Sequence, residues 1–368
     1  MTAASLTPMA VAARLARLRG ELGGDDALLV TSLTNIRYLT GFTGSAGMLF
    51  VLPGAAVLLT DGRYGSQAQE QLDASGAPVS VSVAPTAGQR QAAATLVADH
   101  GVRSLGLEAA HVTWARQRAL ASEWFPAVEL EPTVDVVERL RAVKDDGELQ
   151  RLQEAARIAD EALGAVRDRL GAGPTEAEFG RLLDFEMRRL GASGPSFETI
   201  VAAGPNAAKP HHRPGARPVG AGEAVVVDFG AMVDGYCSDM TRTVWVGRLA
   251  DAELRKAYDL VLESQAAGVA AVRAGTTGAE VDRACRDLIA AAGWGDRFVH
   301  GTGHGVGLDI HEAPSVSATS TDTLVAGHVV TVEPGVYIPG LGGVRIEDTV
   351  VVTADGCRPL TSTPKDRI

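Results

Sequence analysis

A chain of 368 residues is longer than one core usually organises and suits two domains. Its 46% hydrophobic content is ordinary for a globular protein with a sizeable interior. The formal charge of −11 comes without an acidic tail or a basic stripe, which argues against nucleic acid or an anionic membrane surface as the main partner.

Met1–Gly20 has no continuous apolar run, and Val11, Leu15, Leu18 and Leu22 recur at helical spacing, which predicts an amphipathic helix and not a signal peptide. Ala27–Thr31, Met48–Leu52 and Ala56–Thr60 read as short buried strands broken by glycine and proline. Helices are predicted near Tyr64–Ala74 and Gly88–His100, then a strand at Ser104–Leu107. This alternation predicts a small α/β domain over residues 1–133. Asp61, Arg63 and Tyr64 read as a solvated loop after a strand. A mixed-charge connector is expected over 134–144, and a second domain over 145–368.

The second domain opens on long helices, near Glu148–Leu170 and Ala252–Ala274, and contains a repeat. Ala172-Gly173-Pro174-Thr175-Glu176-Ala177-Glu178 recurs 102 residues later as Ala274-Gly275-Thr276-Thr277-Gly278-Ala279-Glu280. Each copy continues as a helix that stops at a glycine, Gly191 or Gly293. Each is followed by a hairpin whose apolar run ends in an acid, Val225-Val226-Val227-Asp228 and Val329-Val330-Thr331-Val332-Glu333. Two copies predict one α+β domain of two related halves, with strands inside, helices outside and the hairpins facing across a pseudo-twofold axis.

The chemistry concentrates in these hairpins and in His300–Pro314, where three histidines are spaced by glycines. Imidazole is a common metal ligand and acid–base group, and glycine lets backbone approach a ligand. Asp234-Gly235 is a two-residue hairpin turn signal that pairs 228 with 241. Asp228 and Asp239 then become diagonal neighbours on one face, roughly 7–8 Å apart at the backbone, able to reach one ion. Glu333 and Glu347 flank a glycine-rich loop, and Arg345 shares the face of Glu347. Buried carboxylates need partners, and Arg345 with Arg242 are too few for four. Two divalent cations about 3.5–4 Å apart would satisfy them, with oxygen-rich ligands favouring Mn over Co or Zn.

Asp228, Asp239, His304, Glu333 and Glu347 stand in the contexts Val-Val-Asp-Phe-Gly, Ser-Asp-Met-Thr-Arg-Thr, Gly-His-Gly-Val-Gly, Val-Glu-Pro-Gly and Val-Arg-Ile-Glu-Asp. This pattern resembles the five-ligand signature of the dinuclear pita-bread metallopeptidases, a group that includes the Xaa-Pro dipeptidases (prolidases), aminopeptidase P and the methionine aminopeptidases. The first 130 residues resemble the creatinase-type N-terminal domain, through Tyr38–Ser45 and Asp61–Tyr64, which favours an Xaa-Pro peptidase. The five intact ligands argue against a metal-free creatinase.

The resemblance implies that Asp239 and Glu347 bridge two metals, that Asp228 completes one shell, and that His304 and Glu333 complete the other. It makes Glu333 the general base toward a metal-bridging water. His211 and His311 become donors to the scissile carbonyl and its oxyanion, and Arg345 and Thr241 hold the bridging carboxylates. His211, directly after Pro210, fits the family pattern better than His212. His300 reads as a loop stabiliser, His111 and His328 as structural or exposed, and Cys237 as a buried inert thiol. The expected activity is hydrolysis of the bond before proline in short peptides. Dipeptidase and aminopeptidase P both stay open, as do another terminus specificity and an inactive binding protein on the same scaffold. A homodimer follows from the resemblance. Cys237, Cys285 and Cys357, odd in number and far apart, suit free thiols in a cytoplasmic setting.

Overall fold

Apolar runs of strand length and amphipathic helices build the first unit of the computed structural model, which describes residues 6–22, 27–248 and 251–365. This unit runs from Pro8 to Arg141. Helix α1 (Val11–Leu22) buries Val11, Leu15 and Leu18, one side of the predicted amphipathic pattern. Strands β1 (Ala27–Val30), β2 (Met48–Leu52) and β3 (Ala55–Thr60) are buried almost throughout. Between β1 and β2 lies α2 (Leu33–Thr40), which the sequence reading missed. It starts where the Ser32 side chain accepts from the Asn35 amide and stops at Gly41, with φ 78°. Eight residues containing two threonines and an asparagine carry little helix propensity, so the cap and burial decide it.

Helices α3 (Gly65–Ser75) and α4 (Gln89–Asp99) fall where predicted, as does β5 (Ser104–Glu108). Two edge strands were not predicted, β4 (Ser80–Val83) and β6 (Glu129–Thr133), and α5 (Trp114–Ala119) lies between them in sequence. The sheet order is β4-β3-β2-β1-β5-β6. Its edges are half-exposed, so they lack the apolar run that marks a strand, and Pro132 is tolerated at such an edge. The 134–144 stretch read as a connector contains a short helix, α6 (Val136–Ala142).

The second unit holds the described residues from Ala142 onward, together with Leu6 and Thr7. Helix α7 (Asp146–Val166) starts at a capping box of Asp145 and Glu148. The repeat copies become α8 (Glu176–Arg189) and α10 (Gly278–Ala291), each opened by a Thr/Glu capping box, Thr175 with Glu178 and Thr277 with Glu280. Helix α9 (Ala252–Ala271) precedes α10. Gly191 and Gly293 take φ 113° and 82° just beyond the two repeat helices.

The first half contributes β7 (Gly194–Pro195), β8 (Ile200–Ala203), β9 (Ala224–Phe229), β10 (Ala231–Val233), β11 (Tyr236–Cys237) and β12 (Met240–Trp245). The second contributes β13 (Gly303–Gly305), β14 (Glu312–Val316), β15 (Val329–Val332), β16 (Gly335–Ile338), β17 (Gly342–Arg345), β18 (Asp348–Val352) and β19 (Cys357–Pro359). Each half has its own core. One gathers Ile158, Phe179, Leu183, Val225, Val227 and Phe229; the other gathers Tyr258, Val281, Ile289, Val330, Val332 and Val350. Among the described residues no helix is long and apolar enough to cross a membrane.

Candidate metal centre

Local turn chemistry aims the first pair of acids. Asp234 and Gly235 take φ 45° and 76°, the positive values a two-residue hairpin turn needs. The resulting register pairs Met232 with Cys237 and Asp228 with Thr241, as the sequence predicts. Asp228 stands near the end of β9, and Asp239 lies between β11 and β12. In the second half His304 sits within β13, Glu333 directly follows β15, and Glu347 lies between β17 and β18. The Glu347 amide donates to the Thr241 carbonyl at 3.1 Å, and Thr243 Oγ1 donates to the Arg345 carbonyl at 2.8 Å. These cross-links bring the two hairpins edge to edge.

All five residues line one cleft of about 460 Å³, whose walls also include His211, His300, His311 and Arg345. His304 Nε2 is 3.4 Å from Glu333 Oε1 and 3.6 Å from Asp239 Oδ2. Ligand atoms of Asp239, His304 and Glu347 lie within 4.8 Å of one another. Burial, then repulsion from Glu347, Asp228 and Glu333, pushes the Asp239 carboxyl well up. Burial and the charges of Glu333 and Asp228 do the same to Glu347. Glu333, buried beside Asp228, is pushed up to about 8.

The donor atoms fit divalent cations. Asp228 Oδ1 and Glu347 Oε1 are buried with no hydrogen-bond partner among the described residues, a costly state unless an ion takes their lone pairs. His304 Nδ1 donates to the Gly305 carbonyl at 3.0 Å, which turns the Nε2 lone pair toward the carboxylates. Burial and the neighbouring His311 lower His304 to about 4, so its ring is neutral and brings no charge to offset theirs. Asp239, Glu333 and Glu347, converging with an imidazole lone pair, have no ion pair with a lysine or arginine among the described residues.

Arg345 is the organising cation. Its Nη2 donates to Asp228 Oδ2 at 2.5 Å, its Nε to Thr241 Oγ1 at 3.1 Å, and its Nη1 to Tyr337 Oη at 2.9 Å. Burial works against this charge, but Tyr337, Asp228 and Glu333 hold it in place. Thr241 Oγ1 in turn donates to Glu347 Oε2 at 2.7 Å. Tyr337 was missed in the sequence; its only signal was a phenol in an otherwise apolar, buried strand. Its hydroxyl, accepting from Arg345, donates to His300 Nε2 at 2.7 Å, and His300 Nδ1 donates to the Gly301 carbonyl at 2.7 Å. His300 therefore does more than steady its loop, because it links the cleft wall to the guanidinium. Thr331, also missed, accepts from the His304 amide at 3.0 Å and donates to Glu333 Oε1 at 3.2 Å.

The histidines divide by their partners. The His311 ring packs edge-on against His304, with centroids 4.3 Å apart. His211 lines the cleft, whereas His212, also on its wall, commits Nε2 to Glu176 at 2.8 Å. His328 accepts from the Val325 amide and closes a turn, and His111 is exposed. Cys237 is buried. Asp61 pairs with the exposed Arg63 at 2.8 Å, which suits the solvated loop expected there.

Residues 150–354 match metallopeptidase family M24, and residues 14–143 match the creatinase/prolidase N-terminal domain. An uncharacterized peptidase of Bacillus subtilis, YqhT, is 42% identical over 96% of this chain and 98% of its own length. The structure of an Xaa-Pro dipeptidase from Bacillus anthracis superposes with a TM-score of 0.91 at 40% identity, covering 97% of this chain and 99% of that one. An X-Pro aminopeptidase structure from Thermotoga maritima gives a TM-score of 0.88 at 34% identity, over 96% and 99%. The chain belongs to metallopeptidase family M24, with the pita-bread fold and the N-terminal domain that the sequence motifs implied. Membership makes it an enzyme that uses divalent metal ions.

Proposed function

We propose that this protein hydrolyses the peptide bond preceding proline in short peptides. The observation that carries the reading is the convergence of Asp228, Asp239, His304, Glu333 and Glu347 on one cleft, with buried oxygens left without partners. These five residues would hold two divalent ions, Mn²⁺ by preference for an oxygen-rich set. When bound, the ions supply a water of lowered pKa and Lewis-acid polarisation. Glu333 takes the proton of the attacking water, as a carboxylate on the cleft wall can. His211 and His311 donate to the scissile carbonyl oxygen as negative charge develops on it. Arg345 and Thr241 orient Asp228 and Glu347. The structural relatives named as an Xaa-Pro dipeptidase and an X-Pro aminopeptidase support the proline specificity. The protein works as a homodimer in the cytoplasm, where its three thiols stay reduced.

Ala-Pro, Ala-Pro-Ala, Ala-Ala-Ala and N-blocked Ala-Pro-Ala, incubated with Mn-loaded protein and followed by product mass, test this reading. Cleavage of Ala-Pro alone identifies a dipeptidase, and loss of Ala from free Ala-Pro-Ala identifies an aminopeptidase. Attack on the blocked peptide overturns the terminus assignment. No cleavage with metal bound overturns the activity. Asp239→Ala is the inactive control.

A further inference from the structure

We propose that Glu176 is a positioning residue for His211, acting through His212 and the backbone of residues 203–215. The inference rests on the reading of His211 as a donor to the reacting carbonyl. Glu176 is the first residue of α8, and its side chain has no solvent exposure. Oε1 accepts from the Ala203 amide and from Asn206 Nδ2, both at 2.9 Å. Oε2 accepts from His212 Nε2 at 2.8 Å and from the Gly215 amide at 3.1 Å. One carboxylate thus gathers four donors along the segment that delivers His211. Burial works against its charge, yet these four donors together hold the carboxyl below the usual range.

The other flank of His211 is tied as well. The Pro210 carbonyl accepts from Arg345 Nη1 at 3.2 Å, the same guanidinium that grips Asp228. His211 therefore stands between two anchored neighbours, Pro210 on the metal side and His212 on the helix side. Its own ring, exposed in the cleft, has no hydrogen-bond partner among the described residues, so it is held ready for substrate by its backbone alone.

The repeat shows that this glutamate is not a requirement of the helix start. Thr175 with Glu178 caps α8, and Thr277 with Glu280 caps α10 in the same way. The position equivalent to Glu176 in the second half is Gly278. A Cβ there would lie 2.1 Å from the Ser315 carbonyl oxygen and 2.6 Å from Ser320 Oγ, so that half packs backbone directly on the helix start. A buried carboxylate is costly without partners, and at this helix position one occurs only in the half whose loop carries His211. His212, the alternative donor in the sequence, becomes the anchor that fixes which of the two adjacent histidines faces the cleft.

Kinetics on a proline peptide, combined with a double-mutant cycle, test the role. Glu176→Gln must point an amide NH₂ at a backbone N–H, that of Ala203 or that of Gly215, whichever way it is turned. It and His212→Ala are expected to lower kcat by about tenfold to a hundredfold, the size of a misplaced reacting group, while KM and bound metal change little. His212→Gln keeps a donor and recovers part of that loss. In a His211→Ala background, Glu176→Gln should add less than about a twofold further drop, because both changes disable one unit. Independent, multiplicative losses overturn the proposal. A second readout needs no activity: the His211 ring ¹H–¹³C signals should move in Glu176→Gln and His212→Ala and return toward wild type in His212→Gln. Unmoved signals also overturn it. Should Glu176→Gln fail to fold, the two His212 variants make the same comparison. Wild-type protein that cleaves no peptide refutes the proposed activity, and the ring signals still decide the role of Glu176.

Discussion

Arg345 Nη2 sits 2.5 Å from Asp228 Oδ2, although 117 residues separate the two. This contact joins the halves of the domain at the point where their acids converge. The fork geometry lets one guanidinium reach Asp228, Thr241 and Tyr337 together, which a lysine ammonium cannot reproduce. Arg345→Ala leaves a buried carboxylate without its cation and should cost about 3–5 kcal/mol of stability. Arg345→Lys should keep the fold and weaken metal binding. Chemical denaturation and metal titration of both variants check this, and wild-type metal affinity in the lysine variant would refute it.

Thr241 serves two partners from the start of β12, donating to Glu347 Oε2 and accepting from Arg345 Nε. Thr241→Val preserves shape but removes both bonds. Metal affinity should fall by about 10–100-fold, the usual cost of losing a group that orients a ligand. Calorimetric titration of the metal-stripped protein reads this directly.

The raised carboxyls set how the metal-stripped protein responds to pH. Glu333 moves from an ordinary 4.5 to about 8 on folding, and Asp239 and Glu347 move the same way, so the folded state holds protons that the unfolded state has released. Stability is then fully present below about 4.5 and is lost as pH rises through about 8. Bound cations favour the ionised forms and offset that loss. Tm measured with and without Mn²⁺ should show a larger metal-induced rise at pH 8 than at pH 5. Equal rises at the two pH values would count against burial of the acids.

Gly303, just before His304, leaves no space for a side chain. A Cβ there would lie 2.0 Å from the Thr331 carbonyl oxygen, a backbone atom of β15 that cannot move away cheaply. Gly303→Ala should push β13 off β15, carrying His304 with it. We expect loss of high-affinity metal binding together with a lowered Tm. An alanine variant with normal metal content would show that β13 has more freedom than this packing allows.

Much of the site was legible because its signals are local. Asp234-Gly235 dictates a tight turn, and strand alternation carries that register to Asp228 and Asp239. The Thr/Glu boxes at 175–178 and 277–280 start helices from four adjacent residues. Burial likewise marked β1, β2 and β3 as runs of apolar residues. Edge strands β4 and β6 escaped because a half-exposed edge does not demand apolar side chains. Helix α2 escaped because its cap and packing outweigh its weak propensity.

By itself the sequence determined the candidate ligand types, their order, the hairpin register and the helix starts, since each depends on residues a few positions apart. The tertiary structure alone decided that Arg345 joins Asp228 to Tyr337 and His300, and that Thr331 ties His304 to Glu333. It also turned His212 toward Glu176, 36 residues away, and left His211 to the cleft. Such pairings carry no periodicity in the chain. They follow from burial, which obliges each polar group taken out of water to find a partner wherever the packed fold supplies one.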